Sequence, residues 1–81
     1  MYENALQKVG ATIRRLREER GFSQEGFAQY AHIDRAWYGR IERGELNISL
    51  KKVFLLAGHL GVTPSELLKE VTNAACCGVE E

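Results

Sequence analysis

One stretch, SQEGFAQYAHIDRAWYGRIERG from Ser23 to Gly44, limits what this chain can become more than any other. Ser23 can cap the free amides of a helix that begins at Gln24. Phe27, Ala28 and Ala31 then fall on one side of it. His32 and Ile33 make a turn, and Asp34 caps a second helix that runs from Arg35 to about Arg43 and stops at Gly44. The small or apolar residues of the pair are Phe27, Ala28, Ala31, Ile33, Tyr38 and Ile41. Ala28 carries the most information, because two helices that meet at a steep angle need a small side chain where they cross.

The rest of the chain supplies helices for this pair to pack on. Leu6, Val9, Ile13 and Leu16 recur at intervals of three and four, one face of an amphipathic helix, with Gln7, Lys8, Thr12, Arg15 and Glu19 opposite. Ser49 is a cap for a fourth helix whose core stripe reads Leu50, Val53, Leu56, Ala57 and Leu60, with Gly61 ending it. Thr63, Pro64 and Glu66 start a short fifth helix carrying Leu67, Leu68 and Val71. From Thr72 the period is lost. The expected architecture is all-α, five helices in one domain over residues 1–71, with a flexible C-terminal tail at 72–81. At 81 residues the chain is near the lower limit for burying its own core without metals or disulfides.

On the second helix of the pair, a spacing of 100° per residue puts Tyr38, Ile41 and the cap Asp34 on the core side. Ala36, Arg40 and Arg43 lie opposite, with Gly39 beside them and Arg35 and Trp37 at the edges. Taken alone, such arginines describe a solvated face. Behind a helix pair with this spacing they also describe a helix that can enter the major groove of DNA, where an arginine can pair with both acceptors of a guanine edge. Arg35, Ala36 and Arg40 are the base-reading candidates, Ala36 through a methyl contact. Trp37 either contacts sugar–phosphate or a thymine methyl, or packs on a neighbouring helix with its edge exposed. Gln24, with Ser23 beside it, stands at a helix start whose free amides favour an anion, and a plain solvated helix start is the alternative. Arg43 and Asn47 are candidates for backbone phosphate.

The spacing of Gln24–Arg43 resembles the helix-turn-helix of the Cro/repressor-like (XRE) regulator family, and the likeness extends from about Val9 to Leu68. The segment DRAWYGRIERGELNISL is similar to its counterpart in restriction–modification controller proteins and other small XRE regulators. The resemblance implies a five-helix, lambda-repressor-like DNA-binding domain with the helix-turn-helix at helices 2 and 3. It implies that Gln24 contacts the DNA backbone and that Arg17 of the first helix pairs with Glu42. It also implies a symmetric homodimer on a palindromic double-stranded operator, with half-sites about one helical turn apart. Two departures stand out: His32 occupies a turn position where glycine is common, which implies a positive φ, and Gly39 should soften the recognition helix.

Phe54 and Leu55 point away from the core stripe of the fourth helix. They await either a cover from the last helix or a subunit interface shared with Val62, Leu67, Leu68 and Val71. His32 and His59 have no partners at catalytic spacing, and the adjacent Cys76 and Cys77 match neither a zinc site nor a disulfide scaffold. No enzyme activity, cofactor, metal, membrane span or small-molecule effector is expected, and the expected location is the cytoplasm. A controller protein and a phage-type repressor both fit, with the likeness nearest to controller proteins. An autoregulating antitoxin, or a helical interaction module without DNA, are the other readings.

Overall fold

The computed structural model describes the backbone of residues 2–75 and the side chains of residues 4–69. Among these it is all-helical: α1 (Tyr2–Glu19), α2 (Gln24–Ala31), α3 (Arg35–Arg43), α4 (Leu50–Leu60) and α5 (Pro64–Ala75). Three of the starts are capped as their sequences demand. Ser23 Oγ accepts from the Gly26 amide at 2.9 Å, Asp34 Oδ2 from Trp37 at 2.9 Å and Ser49 Oγ from Lys52 at 3.2 Å. Each such cap is worth about 1 kcal/mol. α2 closes through His32, which does adopt a left-handed conformation (φ 59°), and the Ile33 amide reaches back to the Ala28 carbonyl at 2.8 Å.

The core takes Val9, Ile13 and Leu16 from α1, Phe27, Ala28 and Ala31 from α2, and Tyr38 and Ile41 from α3. Val53, Leu56, Ala57 and Leu60 of α4 and Leu67 of α5 complete it. Helix α1 is the hub, packing on both α3 and α5, while α2 packs on α3 and α4 on α5. The crossing of α1 and α3 is close because Gly10 faces the end of α3. A Cβ there would sit 2.5 Å from the carbonyl oxygens of Ile41 and Glu42. The α1 periodicity alone does not reveal this contact.

Several positions differ from the expected pattern, each for a local reason. Leu50 is 67% exposed rather than part of the core stripe, because as the first residue of α4 it lies beyond the packed turns. Thr12 is buried rather than solvated, which its hydroxyl tolerates by donating to the Lys8 carbonyl at 3.0 Å. Asp34 is exposed: its carboxylate is spent on the cap, not turned to the core. Leu67 is fully buried and so cannot also serve a subunit interface, while Val62 and Leu68 are half-buried against the same core. Helix α5 continues through Thr72 to Ala75, four residues past the point where the sequence period is lost, and residues 76–81 lie outside the described residues. Val71 lies outside the described side chains, and Cys76 and Cys77 outside the described residues.

Gly10 and Gly58 offer a paired test. Gly10→Ala should destabilise by about 1–3 kcal/mol, since two backbone carbonyls must move. Gly58→Ala, with nothing within 4 Å of the added carbon, should stabilise by about 0.5–1 kcal/mol. Urea denaturation of the two variants measures both signs.

Candidate nucleic-acid interface

The helix pair is held by a buried ion pair. Arg17 Nε donates to Glu42 Oε2 at 2.6 Å and Arg17 Nη2 to Glu42 Oε1 at 3.2 Å, a fork-to-fork arrangement between α1 and α3. Arg17 Nη1 also donates to the Phe22 carbonyl at 2.7 Å, fixing the loop that leads into α2. From the first turn of α2, Gln24 Nε2 donates to Glu42 Oε1 at 3.0 Å. Three helices therefore meet at one carboxylate. Burial by itself would push the Glu42 carboxyl up, but the bonds from Arg17 and Gln24 and the adjacent Tyr38 hydroxyl together hold it below its ordinary value. Arg17 is pushed up, chiefly by its bond to Glu42. The Tyr38 hydroxyl is buried beside the pair without a well-formed hydrogen bond among the described residues, and burial raises its pKa well above the usual phenol range.

Outside this brace, Gln24, Arg35, Ala36, Gly39, Arg40 and Arg43 line one open concavity of about 480 Å³. Three arginines and a glutamine thus converge on a surface whose floor is made by an alanine and a glycine. Gly39 is buried in an unbroken helix, so its role is space. A Cβ there would lie 3.3 Å from Arg43 Nη1 and 3.4 Å from Gln24 Oε1. The Gln24 amide spends one N–H on Glu42 and keeps the second as a donor. The first amides of α2 have no intrahelical partners and stand beside it.

The sequence-derived candidates divide on this surface. Arg35, Ala36, Arg40, Gln24 and Arg43 are brought together. Ser23 acts as the α2 cap, and Asn47 is exposed in the loop after α3; neither lines the concavity. Trp37 is not off the core face. It is half-buried against the core, with Lys52 Nζ of α4 5.1 Å from its ring centroid, so part of the ring faces the protein and part remains exposed.

Glu45 is a neighbour of this surface that helical spacing does not single out. Its carboxylate takes Arg43 Nε at 2.9 Å and Arg43 Nη2 at 3.3 Å, and lies 3.7 Å from Arg40 Nε. The bond from Arg43 holds the Glu45 carboxyl below its ordinary value. The available signal was Gly44, whose left-handed turn (φ 76°) folds the next residue back over the last turn of α3.

The brace can be tested by single and double substitution. Arg17→Met alone should cost about 3–5 kcal/mol, because it strands the buried Glu42 charge, and Arg17→Met/Glu42→Leu should cost clearly less. The pH dependence has a definite sign. Unfolded, Glu42 titrates near 4.5, and folded it titrates lower. Between those values the unfolded chain binds more protons, so stability rises with pH there. The contribution is complete above about 4.5, is lost as pH falls through the folded value, and should vanish from the acid denaturation curve of the double variant.

Residues 13–67 match the helix-turn-helix family. The control protein C.MunI of a Mycoplasma species is 37% identical over 65 residues, spanning 79% of this chain and 88% of that one. The restriction–modification controller protein C.AhdI from Aeromonas hydrophila superposes with a TM-score of 0.72 at 42% identity, covering 76% of this chain and 94% of the other. The controller protein C.Esp1396I, solved as a tetramer in complex with its natural 35 base-pair operator, superposes with a TM-score of 0.72 at 29% identity over 85% of this chain and 91% of that one. On the helix pair, its arginine face and these relatives together, the chain belongs to the XRE-like helix-turn-helix family of transcriptional regulators, with restriction–modification controller proteins among its relatives.

Proposed function

We propose that this protein is a sequence-specific DNA-binding regulator of the controller type, which binds a palindromic operator as a homodimer with α3 in the major groove. The observation that carries this is the concavity itself. Arg35, Arg40, Arg43 and Gln24 surround a floor of Ala36 and Gly39, a basic surface low enough for base edges to approach. Arg35, Ala36 and Arg40 read bases, and Trp37 adds at most its exposed edge. Gln24 and Arg43 take phosphates, flanked by Ser23 and Asn47. The formal net charge is zero, so the attraction comes from this stripe and not from the whole molecule. Support for the operator comes from C.Esp1396I, a relative solved on its own operator DNA.

The dimer is proposed on the exposed apolar side of α4. Phe54 is 58% and Leu55 38% exposed, with Leu50 one turn before Phe54, and the half-buried Val62 and Leu68 adjoin the core nearby. With Leu67 withdrawn into the core, the proposed contact is Phe54, Leu55, Val62 and Leu68, together with Val71 further along α5.

Selection from a randomised duplex library should return a palindromic site. Its log affinity should fall with log salt by about 0.9 per phosphate neutralised. Arg35→Ala or Arg40→Ala should cost about 1–3 kcal/mol on that site and relax preference at one base pair, whereas Gln24→Ala should weaken all duplexes alike. No duplex binding at low salt would favour a helical interaction module. In sedimentation, Phe54→Ala/Leu55→Ala should shift the mass from dimer to monomer, and an unchanged mass rejects this interface.

A further inference from the structure

Two of the three arginines around the concavity are already engaged by an acid of their own chain. The backbone of Glu45 is held beside them, because its amide donates to the Arg40 carbonyl at 2.9 Å in the turn set by Gly44. Its two carboxylate oxygens take two nitrogens of Arg43, and one of them also lies within ion-pair distance of Arg40. A carboxylate and a phosphate present the same kind of acceptor to a guanidinium fork. Both arginines line the concavity and Glu45 does not, so the side chains can turn from one acceptor to the other without displacing anything from the surface. The arginine pairs of α1, Arg14–Glu18 and Arg15–Glu19, are exposed i,i+4 contacts outside this surface.

We propose that Glu45 is an internal competitor for DNA phosphate, holding Arg43 in the free protein, so that binding proceeds by exchange of this carboxylate for the DNA backbone, while Arg40, only loosely paired with it, turns to a base edge. Glu45 thereby weakens phosphate-driven attachment to any duplex, which is the component that carries no sequence information. The opposite role, a brace that presents Arg43 to the DNA, would make Glu45 favourable for binding.

The proposal rests on the DNA-binding reading, and the experiment separates the two. Affinity for one random-sequence duplex at low salt is measured for the wild type, Glu45→Gln, Arg43→Gln and Glu45→Gln/Arg43→Gln. Glu25→Gln serves as the charge control, since Glu25 is exposed beside Gln24 in the first turn of α2 and forms no arginine ion pair among the described residues. Glu45→Gln should bind about two- to fivefold more tightly than the wild type, the range expected for releasing an exposed ion pair. This gain should exceed that of Glu25→Gln and shrink in the Arg43→Gln background. A gain equal to the control, a gain undiminished without Arg43, or weaker binding by Glu45→Gln overturns the proposal while leaving DNA binding intact. A wild type that binds no duplex overturns the DNA reading, and this proposal with it.

Discussion

The Glu42 carboxylate is the point on which the arginine face depends. It lies near the end of α3, is gripped by Arg17 from α1 and is touched by Gln24 from the start of α2. A buried charge cannot be left half-satisfied, so the three helices keep one mutual arrangement or lose several kcal/mol. The pair adds geometry more than net stability. Hydrophobic burial of Ile13, Phe27, Tyr38 and Leu56 provides the driving force, and the carboxylate decides the orientation in which α3 is delivered.

Gly10 and Gly39 act on the same helix from opposite sides. Gly10 lets α1 approach the carbonyls of Ile41 and Glu42, which brings Arg17 within reach of its partner. Gly39 leaves a floor between Gln24 and Arg43 on the outer face. A glycine in a helix interior costs about 0.5–1 kcal/mol relative to alanine. Here that cost is offset at one position by close packing and spent at the other on an open surface. Gly39 does not break the helix: α3 is continuous from Arg35 to Arg43 and capped at both ends.

The basic face is also less free than its arginine count suggests. Gln24 is shared with Glu42, and Arg43 with Glu45, so one residue that faces the concavity is tied inward and another sideways. In a chain with no net charge, such pairs set how strongly the local stripe can draw a polyanion. At the start of α3, by contrast, Arg35 takes part in no ion pair among the described residues, and the proposed base-reading set of Arg35, Ala36 and Arg40 begins there.

The five helices were legible in the sequence because caps, terminating residues and three-to-four spacing are local signals. So was the helix-turn-helix, down to the positive φ of His32, because its geometry is confined to one short stretch. The Arg17–Glu42 pair followed from resemblance, since nothing local links residues so far apart. Periodicity assigns a direction but not a neighbour, and it failed where neighbours decide: Leu50 lies beyond the packed turns and Thr12 satisfies its own hydroxyl, while for Trp37, which the sequence left open, the structure gives a half-buried ring beside Lys52. Leu67 is the same lesson at the proposed interface, for only the docking of α5 shows that it is used up in the core. The sequence by itself determined which residues form helices and which helix carries arginines. Only the tertiary structure decided which arginines share a surface and which acid answers them, because those distances depend on how separate helices pack and on the reversal of the chain at Gly44.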